Sequence, residues 1–284
     1  MTPLGKDWFV EVGQSLWPGR ALALQIKEVL YEGRSQFQEI RVFDSVGAGR
    51  VLTLDGIIQL TESDEFAYQE MLTHVPLFAH PDPKSVLVIG GGDGGILREV
   101  AKHRGVERMD ICEIDGAVID VSRRHLPFTA CGFDDPRVKI YLEDGAVFVA
   151  RAKAQYDVII VDSSDPIGPA EVLYREPFYR AMREALKPGG IITTQAESAW
   201  LHRNLVRSLM EMARAIFDTA HYAYTCVPTY PSGQIGLLAA SRGPEVRTPL
   251  REPDQATRAK LRYYTPEVHR ASFILPAFAH EFAC

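Results

Sequence analysis

The chain has 284 residues, 46% hydrophobic and 24% charged, with a formal net charge of −6. That length holds one large domain or two modest ones, with ample chain for a core. A pI near 5.8 argues against tracking nucleic-acid phosphates and suits cationic ligands. No apolar run approaches the roughly 18 residues of a membrane span. The first ten residues carry Lys6 and Asp7 without a long apolar core, so no secretory signal is expected. Cys112, Cys131, Cys226 and Cys284 are scattered with no C-x-x-C pair, and no two histidines stand at H-x-x-x-H spacing. The expectation is a cytoplasmic protein without a metal site or a disulfide framework.

Residues 1–60 read as a small antiparallel β-domain. Leu22 to Leu30, Phe37 to Phe43, Arg50 to Leu54 and Ile57 to Leu60 are short, partly alternating segments, separated by Gly33, Gly47, Gly49 and an Asp55-Gly56 turn. Residues 61–284 form the second unit. Thr61 is the expected cap of a helix through about His74, because Phe66, Met71 and Val75 recur at helical spacing.

Val86 to Gly95 (VLVIGGGDGG) then passes from a wholly apolar run into a glycine loop. Such a run predicts a strand buried on both faces, followed by a turn and a helix starting near Ile96. From there strand and helix alternate. Strands are expected at Val106 to Cys112, Val138 to Leu142, Tyr156 to Val161 and Ile191 to Thr194, the last after a Lys187-Pro188-Gly189-Gly190 helix stop. A helix from about Trp200 to Phe217 precedes closing strands at Thr219 to Cys226 and Ile235 to Ala240. This order predicts an α/β fold, a doubly wound parallel sheet with helices on both faces. The tail after Arg242 is the least legible part.

Gly90, Gly92 and Gly95 satisfy G-x-G-x-x-G, and Glu113 follows at the distance of a ribose-binding acid. Asp93 argues against a dinucleotide, because a carboxylate inside the loop repels a pyrophosphate and favours a cationic tail. Adenosyl sulfonium compounds have such a tail and no phosphate. Asp93, Glu113, Asp144 and Asp162 each follow one of four successive strands, whose carboxyl ends converge on the ligand crevice of an open sheet. Alone, each acid reads equally as a helix cap or a solvated loop residue. Together they predict one acidic cleft. Glu113 can accept from ribose hydroxyls, and Asp144, helped by the Gly145 backbone, from an adenine amino group. Asp162 and Asp165, followed by a Pro/Gly segment able to act as a lid, can bind and deprotonate an amine.

GGGDGG (Gly90 to Gly95), CEID (Cys112 to Asp115), DSSDPIGPA (Asp162 to Ala170), YQEM (Tyr68 to Met71) and TYPSGQIG (Thr229 to Gly236) together resemble the spermidine synthases, which are polyamine aminopropyltransferases. The resemblance runs from about Ile26 to about Phe278. It implies an N-terminal β-domain followed by a methyltransferase-like Rossmann domain. It also implies transfer of the aminopropyl group of decarboxylated S-adenosylmethionine to putrescine, giving spermidine and methylthioadenosine. By motif, Gln38, Gln69, Asp93, Glu113, Asp144 and Gly145 would contact the aminopropyl donor. Asp162 would accept the proton, with Tyr68, Asp165 and Tyr230 around putrescine. No cofactor beyond the co-substrate and no metal is implied, and a homodimer or homotetramer is. A putrescine N-methyltransferase, a spermine or thermospermine synthase, and a catalytically silent polyamine-binding protein remain the alternatives.

Overall fold

The computed structural model describes residues 5–13, 17–165 and 168–282. Cys284 and two residues of the Pro/Gly segment, Pro166 and Ile167, lie outside the described residues. The N-terminal unit is a five-stranded antiparallel meander, β1 (Trp8–Val12), β2 (Ala21–Arg34), β3 (Glu39–Ser45), β4 (Arg50–Leu54) and β5 (Ile57–Thr61), paired in chain order. The strands alternate as a two-sided sheet requires. Ile40, Val42, Leu52 and Leu60 face one side, while Phe43, Val51 and Ile58 join Phe9 on the other.

The second unit holds a seven-stranded sheet: β6 (Ser85–Gly90), β7 (Arg108–Glu113), β8 (Val138–Leu142), β9 (Tyr156–Asp162), β10 (Leu186–Gln195), β11 (Thr219–Cys226) and β12 (Gln234–Ser241). Its order is β11-β12-β10-β9-β6-β7-β8, parallel from β10 to β8 and antiparallel at β12 and β11. β6 reads as a continuous apolar run because both its faces are covered. Val86 and Val88 pack towards α1 (Glu65–Ala79) and α2 (Gly95–Ala101); Leu87 and Ile89 pack towards α5 (Gly145–Arg151), α6 (Glu176–Ala185) and α7 (Arg203–Ile216). α3 (Gly116–His125) joins the two units. Its Val118 and Val121, with Leu126, pack under Ile40, Val42, Leu52 and Leu60 of the N-terminal sheet. That contact seats the small sheet over the carboxyl edge of the large one. α4 (Pro127–Ala130) continues α3 after Leu126.

Three local expectations are corrected. The cap position of α1 is Asp64, not Thr61, and the helix runs to Ala79. The Thr61 hydroxyl instead donates to Asp64 Oδ1 (2.8 Å), which also takes the Thr229 hydroxyl (2.9 Å). The Lys187 to Gly190 stretch does not lie between helix and strand: β10 begins at Leu186, and its register shifts between Leu186 and Ile191. The helix expected from Trp200 begins at Arg203.

The tail, opaque in sequence, is tied down by backbone bonds that composition does not reveal. The fully buried Glu70 carboxylate of α1 accepts the amides of Arg262 (2.8 Å), Tyr263 (2.9 Å) and Tyr264 (2.8 Å). These precede α9 (Pro266–Ser272), with α8 (Gln255–Arg258) before them. Arg251 donates to the carbonyls of His80 and Leu77. Removing a buried acceptor strands its donors. Glu70→Ala is therefore expected to lower unfolding stability by about 3 kcal/mol, read from the urea midpoint. An unchanged midpoint would show that the tail is held elsewhere.

Candidate active site

The sheet's strand order reverses between β6 and β9, where an open α/β sheet forms its ligand crevice. Register fixes what meets there: Gly90 pairs with Asp162 across β6 and β9, and Glu113 with Leu142 across β7 and β8. Gly90 has φ +77°, and a Cβ there would stand 2.1 Å from the Asp162 carbonyl oxygen. Only glycine allows that turn at that approach. The result is a cavity of about 270 Å³. Gln38, Tyr68, Gln69, Asp93, Glu113, Asp144, Gly145, Asp162, Asp165 and Tyr230 all line it. Every residue singled out in the sequence therefore reaches one hollow.

Asp93 does what the loop's chemistry requires. Its Oδ1 accepts the Gly95 amide (2.8 Å) and the Gln69 amide nitrogen (3.1 Å). The side chain thus occupies a backbone donor at the start of α2 that a pyrophosphate would use. Gln69 Oε1 is buried and finds no donor among the described residues. Arg98, held by both carboxylate oxygens of Glu65 (2.9 and 2.8 Å) and by Glu99 (2.8 Å), ties α2 to α1. It thereby keeps Gln69 and Asp93 opposite one another. Burial raises the Asp93 pKa against the opposing pull of these donors and of Arg98.

Glu113 is buried and its pKa is pushed up to about 7, chiefly by desolvation. Its Oε1 accepts the Asp115 amide (2.8 Å). Asp144 proves to be a helix cap as well as a cavity wall: its Oδ1 takes the amides of Ala146 (2.7 Å) and Val147 (3.3 Å) at the start of α5. The cap bonds fall on Oδ1 alone, and the residue lines the cavity.

Asp162 Oδ1 accepts the Tyr68 hydroxyl at 2.8 Å. Its pKa is raised to about 8 by desolvation first and by the charge of Asp93 second, opposed by the Tyr68 bond. Tyr68 and Tyr230 meet edge to face at 6.0 Å, and the Tyr230 hydroxyl donates to the Gln59 carbonyl on β5 (2.8 Å). A partly exposed acid of raised pKa beside aromatic walls is chemically able to exchange a proton near neutral pH.

A second acidic cluster lies in the same cavity, and sequence reasoning missed most of it. Asp165 is raised well above its usual range by burial and by Glu197. Glu197 sits beyond β10 at φ +60°, 2.9 Å from His202 Nδ1. Glu11 of β1 is pushed up to about 7 by burial while it accepts the Ile58 amide (2.8 Å). Both omissions had a signal. Glu197 obeys the strand-end rule that picked out the other acids, and Glu11 shares the inward parity of Phe9 in an alternating strand.

The comparisons with known proteins agree with this geometry. Residues 65–249 match the spermine/spermidine synthase domain, and residues 7–62 the spermidine synthase tetramerisation domain. The chain belongs to the spermidine synthase family. It is 48% identical to the spermidine synthase of Dictyostelium discoideum, covering 98% of each chain. It is 51% identical to spermidine synthase 1 of Datura stramonium, over 96% of this chain and 91% of that one. A crystal structure of spermidine synthase in complex with the transition-state analogue AdoDATO superposes with TM-score 0.91 at 40% identity, covering 99% of this chain and 96% of that one. The Thermotoga maritima spermidine synthase gives 0.88 at 39%, covering 99% and 95%. The chain is accordingly an aminopropyltransferase with the family's two-part fold.

Because the Tyr68 hydroxyl is the donor that holds the Asp162 pKa down, Tyr68→Phe is expected to raise it further. The acidic limb of the kcat/KM profile for the amine then moves to higher pH by about one unit. An unmoved limb would detach Tyr68 from the titrating group.

Proposed function

We propose that this site transfers the aminopropyl group of decarboxylated S-adenosylmethionine to putrescine, giving spermidine and methylthioadenosine. The observation that carries the reading is a single cavity lined by two groups of acids, with Asp93 and Asp162 at the glycine loop and Asp165, Glu197 and Glu11 beyond. Two cations that repel one another can enter only such a place. Glu113 and Gln38 take the ribose hydroxyls, and Asp144 with the Gly145 backbone takes the adenine. Asp93 and Gln69 hold the aminopropyl tail. Tyr68, Tyr230 and Asp162 surround the attacking amine, and Asp165 with Glu197 and Glu11 holds the far one.

The step is a direct displacement. The amine nitrogen attacks the carbon beside sulfur, the carbon–sulfur bond breaks, and its electron pair leaves on a neutral thioether, so no general acid is needed. An alkylamine has an unperturbed pKa near ~10.4, so at neutral pH its nucleophilic form is scarce by about three powers of ten. Asp162 takes the proton, and the closeness of the two reactants supplies much of the remaining acceleration. In the empty cleft burial keeps Asp162 largely protonated; an arriving cation lowers its pKa and frees it to act as base. Intact S-adenosylmethionine would bring its own carboxylate towards Asp93, a repulsion of order 1–3 kcal/mol.

The chain divides for these tasks after residue 60. Residues 1–60 supply one wall of the cleft through Gln38 and residues 61–284 the reacting groups. We assign the protein to the cytoplasm, since Cys112, Cys131 and Cys226 are free thiols. No helix among the described residues is long and apolar enough to cross a membrane. The assembly is a homodimer or homotetramer built through the β-rich N-terminus.

Mass spectrometry of products from the purified protein, offered both the intact and the decarboxylated donor with putrescine, is expected to show spermidine and no methylated amine. Methylputrescine would replace this reading by the methyltransferase one. Asp162→Asn is expected to lower kcat by roughly 10²–10⁴-fold while donor affinity changes by less than about threefold; normal turnover would remove Asp162 from the base role. Asp93→Asn is expected to narrow the preference for the decarboxylated donor, and an unaltered preference would place the tail elsewhere.

A further inference from the structure

The turn between β2 and β3, residues 35–38, reaches from the small sheet to the start of α3. The Ser35 hydroxyl donates to Asp115 Oδ2 at 2.6 Å, and its oxygen accepts the amides of Phe37 (3.0 Å) and Gln38 (3.1 Å). The Gln38 side-chain nitrogen donates to the same Oδ2 at 3.0 Å. Asp115 is 2% exposed. Its other oxygen caps α3 through the Ala117 amide (3.1 Å), and its own amide donates to Glu113 Oε1 (2.8 Å). One buried aspartate therefore touches the turn, the helix and the ribose-side acid. It stands behind the cavity wall, whereas Gln38 and Glu113 are part of that wall.

A carboxylate accepts and cannot donate, so it decides which end of a neighbouring amide faces it. With nitrogen held against Asp115, the Gln38 oxygen is turned away from that carboxylate, in a side chain that lines the cavity. We propose that Asp115, braced by Ser35, is a positioning residue that fixes Gln38 as a hydrogen-bond acceptor, so that Gln38 and Glu113 together accept from the two ribose hydroxyls of the donor. The inference rests on the assignment of Gln38 and Glu113 to the nucleoside made above. The latch also joins the two units at the substrate, because Ser35 and Gln38 come from one and Asp115 from the other. Ribose recognition then depends on their correct docking.

The test is calorimetric binding of methylthioadenosine and of its 2′,3′-dideoxy analogue to the full chain and to variants. Asp115→Asn retains a competent helix cap but no longer dictates the amide's orientation. It is expected to weaken methylthioadenosine about tenfold and the dideoxy analogue less than about twofold. Gln38→Ala is expected to match it, and the double variant to be no weaker than either single one. The charge of Asp115 raises the Glu113 pKa. Its removal alone would therefore favour the accepting carboxylate, and a loss of affinity points to Gln38. Equal losses on both ligands would make Asp115 a merely structural residue and overturn the inference, as would no loss, or additive losses in the double variant. If Asp115→Asn does not fold, Ser35→Ala carries the same comparison, since it leaves the α3 cap in place. Equal affinity of the unsubstituted protein for the two ligands would overturn the nucleoside assignment itself, and this inference with it.

Discussion

Like charge held out of water is the constraint on which the rest of this structure depends. Asp93, Glu113 and Asp162 converge at the end of one sheet, with Asp165, Glu197 and Glu11 lining the same hollow. Full ionisation of all six in a water-poor cleft would be costly. The protein meets this in two ways. Some charge is spread over donors: Gly95 and Gln69 on Asp93, the Asp115 amide on Glu113, Tyr68 on Asp162. Burial also raises the pKa of Glu113 and Asp162, and of Asp165 and Glu11 beyond them, which favours their protonated forms and relieves part of the repulsion. Cationic substrates provide the third route, and the site is electrostatically complete only with them.

The fold serves that constraint. Parallel strands bring their carboxyl ends to one rim, and the glycine loop lets the β6 backbone approach the Asp162 carbonyl too closely for any side chain. The small N-terminal sheet, seated on α3 through Val118 and Val121, closes the rim from the other side. It excludes water while contributing Gln38, Glu11 and the Gln59 carbonyl that holds Tyr230. A water-poor cleft is what raises the carboxylate pKa values, so the roof belongs to the chemistry.

Much of this was legible in the sequence because it depends on short-range rules. The apolar run before Gly90 announced a buried strand, and an acid after each strand announced a common crevice. Four of the five N-terminal strands declared themselves through turn residues and alternation, and β1, which pairs along β2, did not. What stayed hidden depends on contacts between residues distant in sequence. Nothing in the sequence ties Glu70 to residues 262–264, whose amides it accepts. Asp64 replaces Thr61 at the head of α1, where its carboxylate engages Thr229, 165 residues away. Glu11 lies on a strand absent from the sequence reading, and it points inward to a cavity completed by the second unit. Asp144 reads as a cap or as a cleft residue in sequence, and only the geometry shows that it both caps α5 and lines the cavity.

Acids that hold protons in the empty cleft must yield them when a cation arrives. Calorimetric titration of putrescine near pH 7, repeated in buffers of different ionisation enthalpy, counts the protons exchanged on binding. Net proton release is expected, growing smaller as the pH is raised above about 8, where Asp162 is already ionised. Binding with no proton exchange, or with proton uptake, would contradict it.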